Sequence, residues 1–205
     1  DQWIALRLKH FCASEAPAML GLSRHTKRSD LLRLKSLGLS KEFSDFVMNN
    51  VLNKGNEAES AARALVEAKL GMELYPATAT CEVEGLPLLA SYDGMSMDET
   101  QIWENKLLNG QNANPRDVID SEHWPQLEQQ VLIAGTDHVY FTVSDGTENG
   151  TVGYLYKSDP KRRAQLLAGW KQFAEDLKNY APIAEVEPVN GQAPVPNRGK
   201  LPPGL

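Results

Sequence analysis

Two short stretches, Ser91-Tyr92-Asp93-Gly94 and Trp103-Glu104-Asn105-Lys106, decide how this sequence is interpreted. The first predicts a strand that ends in a turn at Asp93-Gly94, and the second predicts another strand. Alternate side chains of a strand share a face, so Glu104 and Lys106 should point the same way. The turn would bring Asp93 up beside them.

Two carboxylates and a lysine on one face suit a divalent metal. Asp93 and Glu104 can bind Mg²⁺, the backbone carbonyl of Asn105 can serve as a neutral ligand, and Lys106 can steer a water or help to deprotonate it. The spacing alone is loose, and a strand-edge ion pair also satisfies it. Placement at a strand end after a turn favours the active site of a metal-dependent nuclease.

Composition sets the class of protein. A chain of 205 residues with 41% hydrophobic and 23% charged residues predicts one soluble domain of ordinary size. No window approaches the roughly 18 apolar residues of a membrane helix, and the start does not resemble a signal peptide. The two cysteines give no disulfide framework, so we expect a protein of the reducing cytoplasm. The net charge of -6 argues against wrapping DNA over the whole surface but permits a local basic channel.

Two predicted helices carry polar residues that could be functional or merely structural. Ser14 is predicted to cap a helix that ends at Gly21, and a helix N-terminus at Ser14 could hold a phosphate together with Arg7. A plain capping serine explains the same pattern. Glu59 and Arg63 lie one turn apart on a predicted helix at 56–70, a spacing that is ordinarily surface decoration.

The order of elements predicts the fold class. Three strands at 73–83, 86–91 and 100–108 form a meander, a helix follows at 122–134, and a hairpin and a last helix complete 138–180. This order predicts an α/β domain with a central mixed β-sheet flanked by helices, over residues 1–180. Residues 181–205 contain six of the twelve prolines and are predicted to form an extended, Pro-rich C-terminal tail.

Five motifs in order carry a resemblance to a known family. They are Trp3-x3-Arg7-Leu8 with Ala13-Ser14-Glu15, Gly55-x3-Glu59-x3-Arg63, Ser91-Tyr92-Asp93-Gly94, Glu104-Asn105-Lys106 and Gln126-Leu127-Glu128. Together they resemble the phage lambda exonuclease family of the PD-(D/E)xK nuclease superfamily, with its alkaline exonucleases and YqaJ-like viral recombinases. The resemblance implies a restriction-endonuclease-like core.

The resemblance also implies roles for individual residues. Asp93 and Glu104 would bind the metal, and Glu59 would support a second metal or its water. Lys106 and Gln126 would position the nucleophile and the scissile phosphate. The remaining implied residues are a 5′-phosphate pocket formed by Arg7, Ser14 and Ser91, and an apolar wedge at Leu52 that splits the terminal base pairs. Glu128 stands where the family has a second glutamine, so its side chain is expected to face away from the phosphate path.

The activity implied by the resemblance is a Mg²⁺-dependent 5′→3′ exonuclease, with Mn²⁺ able to substitute. It would digest one strand of linear duplex DNA to 5′-mononucleotides and leave 3′ single-stranded ends. Family members form toroidal homotrimers and work with a single-strand annealing protein, so both partners are expected here. Two alternatives stay open: an endonuclease or nickase of the same superfamily, and a catalytically silent DNA-binding recombination scaffold.

Overall fold

One mixed sheet organises the protein. A computed structural model describes residues 2–39, 53–107 and 113–181. Six strands pair in the order β1-β3-β4-β5-β6, with β2 also paired to β3. The strands are β1 (Phe11–Cys12), β2 (Tyr75–Val83), β3 (Leu86–Met95), β4 (Ile102–Leu107), β5 (His138–Ser144) and β6 (Val152–Lys157). Helices flank this sheet, so the predicted α/β class with a central mixed sheet is confirmed.

Seven α-helices surround the sheet in the described part of the chain. They are α1 (Gln2–Lys9), α2 (Ala16–Met19), α3 (Arg28–Ser36), α4 (Asn53–Leu70), α5 (Pro115–Val118), α6 (Trp124–Ala134) and α7 (Pro160–Lys178). A 3₁₀ turn at Ala13–Glu15 leads into α2, and a π-helix at Ile119–His123 leads into α6. Within 2–39, 53–107 and 113–181, none of the helices combines the length and the apolar character that crossing a membrane requires.

Local sequence explains two of the connections. Glu84 and Gly85 both have positive φ, 53° and 79°, which is the two-residue turn that joins antiparallel strands with a matching twist. Asp159 caps α7, because its side chain accepts a hydrogen bond from the Lys161 N–H, and Pro160 occupies the first helical position. Leu166, Trp170 and Phe173 are then buried on one face of that helix.

The sheet is interrupted beside its central strand. β2 pairs with β3 along almost its whole length, which occupies one edge of β3. The other edge is shared: β1 pairs in parallel at Leu88 and Leu89, and β4 pairs antiparallel at Gly94 and Met95. Residues 90–93 of β3 therefore have no strand beside them on that edge in the described chain. Helix α6 packs over this interruption, with Leu127 and Val131 in the same core cluster as Ala90 and Tyr92.

Two local predictions were wrong. Asp93-Gly94 is not a turn, because β3 runs straight through it to Met95. Glycine is required at 94 for packing: an added Cβ would lie 2.9 Å from Leu74 Cβ and 3.0 Å from Trp103 Cε3.

Ser14 does not cap a helix either. The cap is Cys12, whose N–H donates to Glu15 Oε2 at 3.2 Å, and Ser14 lies inside the 3₁₀ turn. The predicted wedge Leu52 and nearly all of the predicted tail lie outside the described residues, so these stay predictions.

Candidate active site

Asp93 and Glu104 face each other where β3 and β4 separate. The last strand pair is Gly94 with Trp103, so one step further the two backbones no longer bond to each other. Asp93 Oδ2 instead accepts the backbone N–H of Asn105 at 2.7 Å. Both carboxylates therefore lie at the point where the strands part, close enough for Glu104 to raise the pKa of Asp93 in addition to the effect of burial.

Three side-chain donors fix the Glu104 carboxylate. Lys106 Nζ and Gln126 Nε2 donate to Oε1 at 2.5 and 2.6 Å, and Gln130 Nε2 donates to Oε2 at 2.6 Å. Gln126 and Gln130 are one turn apart on α6, so they reach Glu104 from the same helix face. Since a carboxylate offers about four lone-pair positions, Oε2 keeps one for another partner. Within the described chain, no residue donates to Oδ1 of Asp93.

Helix α4 adds a charged pair to this centre. Arg63 Nη2 donates to Glu59 Oε1 at 2.8 Å, and Arg63 Nε donates to the Asp93 carbonyl at 3.1 Å. Both side chains are more than two-thirds buried. The spacing of Glu59 and Arg63 is therefore not surface decoration, since the pair joins α4 to the strand that carries Asp93.

The cluster contains three carboxylates, of Asp93, Glu104 and Glu59, and two cations, Lys106 and Arg63. Burial, followed by repulsion from Glu104, raises the pKa of Asp93 well above its ordinary range. Burial and Glu104 also raise the pKa of Glu59 despite its bond to Arg63. Burial lowers the pKa of Lys106, but the surrounding carboxylates outweigh burial and raise it overall, which keeps its amine protonated.

This donor set fits Mg²⁺. In the described chain, no three His, Cys, Asp or Glu side chains form a closed metal cage. Mg²⁺ does not need one, because it is usually held by one or two carboxylates and keeps several waters or substrate phosphates. Asp93 and Glu104 would hold it, through carboxylate oxygens such as Asp93 Oδ1 and Glu104 Oε2. The side chain of Asn105 points elsewhere and accepts from Thr142 Oγ1 at 2.7 Å, so only its backbone carbonyl is a candidate ligand.

Two of the three residues predicted to bind a 5′-phosphate are in contact. Arg7 Nη2 is 3.4 Å from Ser14 Oγ and 3.4 Å from Glu15 Oε1, so the arginine and the serine are neighbours. The parallel register of β1 with β3 ends at Leu89, two residues before Ser91. Ser91 Oγ is buried and has no hydrogen-bond partner within the described chain.

Side chains close the interrupted edge of β3. The carbonyls of Leu89, Ser91 and Asp93 are two residues apart and so point to the same edge. Each accepts from a side chain: from Gln129 at 3.1 Å, from Gln130 at 2.9 Å and from Arg63 at 3.1 Å, respectively. Buried carbonyls require partners, and here amides and a guanidinium replace the missing strand. The proposed site residues Ser91 and Asp93 lie within this edge.

Sequence reasoning missed Gln130 and His123. Gln130 is fully buried and touches Glu104, and its position four residues after Gln126 is the signal that could have found it. His123 lies on the π-helix against Phe141, and its Nδ1 is buried without a partner in the described chain. Burial, and then the positive charge of Lys106, lowers the pKa of His123 to about 3, so its imidazole stays neutral. The expectation that Glu128 faces away is confirmed, because it bonds to Tyr156 and to the start of α7.

Comparisons with known proteins identify a family and a shared fold. The family model of the YqaJ-like viral recombinase domain matches residues 2–137. An alkaline exonuclease, LHK-Exo from Laribacter hongkongensis, has a TM-score of 0.68 at 19% identity, covering 87% of this chain and 92% of that chain. The same protein in complex with dAMP has a TM-score of 0.64 at 20% identity, with the same coverage. A phage-related exonuclease from Haemophilus somnus 129PT has a TM-score of 0.59 at 12% identity, covering 85% of this chain and 98% of that one.

The structural similarity, at identities of 12 to 20%, establishes a shared fold. No curated protein sequence matches the chain.

Proposed function

The chain belongs to the YqaJ-like viral recombinase domain family, and from this premise we propose that it is a nuclease that acts in DNA recombination. More specifically, it is a Mg²⁺-dependent 5′→3′ exonuclease that digests one strand of linear duplex DNA. Its products are 5′-mononucleotides and a duplex with 3′ single-stranded ends. Mn²⁺ substitutes for Mg²⁺.

One observation carries this proposal: Asp93, Glu104 and Lys106 converge where two strands part, and Gln126 and Gln130 hold Glu104 there. A structural ion pair would need one carboxylate for one lysine. Here a second carboxylate lies against the pair, and burial together with repulsion from Glu104 raises its pKa. Buried carboxylates that repel one another are typical of a cation site.

The residues of this chain divide the hydrolysis between them. A bound Mg²⁺ would supply charge stabilisation on the phosphoryl oxygens and acidify a water. Lys106, protonated and held at Glu104, places a positive charge beside the attacking water and favours its hydroxide form. Gln126 orients the Glu104 oxygen that Lys106 also binds. The water oxygen bonds to phosphorus as the bond to the 3′ oxygen breaks, which leaves a 5′-phosphate on the next nucleotide.

End recognition gives the reaction its direction. Arg7, Ser14 and Ser91 bind the terminal 5′-phosphate, and the support for this is the Arg7–Ser14 proximity and the unpartnered Ser91 hydroxyl. Each hydrolysis regenerates a 5′-phosphate on the shortened strand, so the same pocket is used in every cycle. A homotrimer around the DNA and a single-strand annealing protein as partner complete the proposal, both supported by family membership alone.

Three DNA substrates test the proposal. The protein is incubated with Mg²⁺ and a linear duplex carrying 5′-phosphates, the same duplex with 5′-hydroxyls, or a closed circular plasmid, and EDTA replaces Mg²⁺ in a parallel set. We expect digestion of the linear substrates, faster with 5′-phosphates, and none of the circle. Cutting of the circle would show an endonuclease or nickase, and no cutting at all would show a silent scaffold.

Two variants separate chemistry from end recognition. Lys106→Ala should lower the rate by about 10²- to 10³-fold while DNA binding persists, because it removes a charge that acts in the transition state. Arg7→Ala should slow digestion of 5′-phosphorylated ends selectively. Equal slowing on phosphorylated and unphosphorylated ends would overturn the phosphate pocket without touching the nuclease assignment.

A further inference from the structure

Gln130 joins the two halves of the site through one amide group. Its Nε2 donates to Glu104 Oε2 at 2.6 Å and to the Ser91 carbonyl at 2.9 Å, so both amide protons are in use. The residue is fully buried, and its backbone carbonyl accepts from the Tyr92 hydroxyl at 3.1 Å. Its side-chain Oε1 is buried and has no hydrogen-bond partner in the described chain. The side-chain nitrogen of Gln130 therefore contacts both a proposed metal ligand and the strand residue of the proposed phosphate pocket.

We propose that Gln130 is a positioning residue that couples the 5′-phosphate pocket to the metal ligand Glu104. This inference rests on the proposed function and deepens it. A planar amide with two fixed protons sets the distance and the angle between its two acceptors. Movement of the Ser91 backbone on phosphate binding is therefore transmitted to Glu104 Oε2, the oxygen that keeps a free lone pair.

The neighbouring glutamine provides a matched comparison. Gln129 is equally buried on the same helix, and its Nε2 donates to the carbonyls of Phe11 and Leu89 at 2.7 and 3.1 Å. It also accepts from Trp170 Nε1 at 2.7 Å. Gln129 therefore closes the sheet edge without contacting either carboxylate, and its loss should affect folding but leave the coupling of the two subsites intact.

The experiment compares Gln130→Met with Gln129→Met and the wild type. Mg²⁺ binding is measured by calorimetry and by the metal-dependent rise in Tm, and kcat and KM are measured on 5′-phosphorylated and 5′-hydroxyl duplexes. For Gln130→Met we expect Mg²⁺ affinity to fall by about 10- to 100-fold, as for other residues that orient a metal ligand. We also expect kcat to become nearly independent of the 5′-phosphate, while KM changes less. Gln129→Met should lower Tm and keep both the wild-type affinity and the wild-type phosphate preference.

The outcomes are distinguishable. If Gln130→Met lowers Tm but retains Mg²⁺ affinity and phosphate preference, Gln130 only closes the sheet edge and the inference is overturned. If Gln130→Met fails to fold, Gln130→Asn takes its place with the same expected results. Asparagine keeps the amide, but its side chain is one methylene too short for the nitrogen to reach both acceptors. Failure of the wild type to bind Mg²⁺ or to digest DNA overturns the proposed function itself.

Discussion

Glu104 and Glu128 are both buried carboxylates, with 3% and 0% of their surface exposed, and they lie in opposite kinds of environment. Glu104 shares its surroundings with the carboxylates of Asp93 and Glu59, as the raised pKa of each shows. Glu128 accepts hydrogen bonds of 2.6 to 2.9 Å from three neutral donors, Tyr156, Ser158 and the Asp159 N–H. The guanidinium of Arg163 lies 3.5 Å from it as an ion-pair partner.

The difference between them separates a reactive site from a structural one. Donors alone do not distinguish the two residues, because every buried carboxylate needs them. Glu128 lies at the N-terminal end of α7, where free N–H groups and the helix dipole already favour a negative charge. Glu104 lies among other acids at the interrupted edge of the sheet, where a proton on Asp93 or an added cation offsets the negative charge. Crowding of like charge, rather than burial, marks the candidate active site.

The strongest test of this comparison is Glu104→Gln. We expect nuclease activity to fall by at least about 10³-fold, because a metal ligand is lost, while Tm in EDTA stays equal or rises as repulsion of Asp93 disappears. Activity on a linear duplex and thermal unfolding check both parts. Glu128→Gln is the control and should keep its activity at a temperature where it is folded. A large decrease of Tm in Glu104→Gln would show that Glu104 has a structural role, as Glu128 does, and would contradict the comparison.

Glu128→Leu should have the largest effect on folding. Removing the carboxylate leaves Tyr156 and Ser158 without their shared acceptor and Arg163 without its ion-pair partner, and breaking a buried charged network costs about 3 to 5 kcal/mol. Urea unfolding monitored by tryptophan fluorescence measures the loss. A change below about 1 kcal/mol would show that water replaces the carboxylate and that the network is not structural.

The third test is the pH dependence of stability without metal. The folded pKa of Asp93 is raised to about 8 from 3.8, so between these values the folded state binds a proton that the unfolded state has released. Its contribution to the free energy of unfolding is therefore present below this window and is lost as pH rises through it. We expect Asp93→Asn to remove that slope from urea unfolding measured across the window in EDTA, and Mg²⁺ to flatten it in the wild type. An unchanged slope in Asp93→Asn would contradict the crowded cluster.

The smallest effect is expected for Arg163→Met. Arg163 is half-buried beside Glu128 and its Nη2 donates to Ser158 Oγ at 2.8 Å, but the carboxylate retains its three shorter hydrogen bonds. We expect a loss of about 0.5 to 1.5 kcal/mol in urea unfolding, with unchanged nuclease activity. A loss as large as that of Glu128→Leu would mean that the ion pair, and not the neutral donors, stabilises Glu128.

Three local predictions show what the sequence could and could not determine. The alternation of Glu104 and Lys106 predicted their common face because a strand has a period of two, and that prediction is confirmed by their contact. The turn predicted at Asp93-Gly94 was wrong. Glycine can be required either by a positive φ or by a close neighbour, and the sequence does not distinguish these two causes. Ser14 misled for a similar reason: serine suits a helix cap, but Cys12 and Glu15 provide the cap here.

By itself the sequence determined the family, the strands and helices, and the acids and the lysine of the candidate site. These follow from local periodicity and from motifs in a fixed order, which depend on near neighbours along the chain. Only the tertiary structure decided that the edge of β3 stays open between β1 and β4, and that Arg63, Gln129 and Gln130 close it. Strand pairing and side-chain contacts over 30 to 40 residues are set by packing, so no local pattern encodes them. The same contacts decide why one buried glutamate crowds other acids and another stabilises the start of a helix.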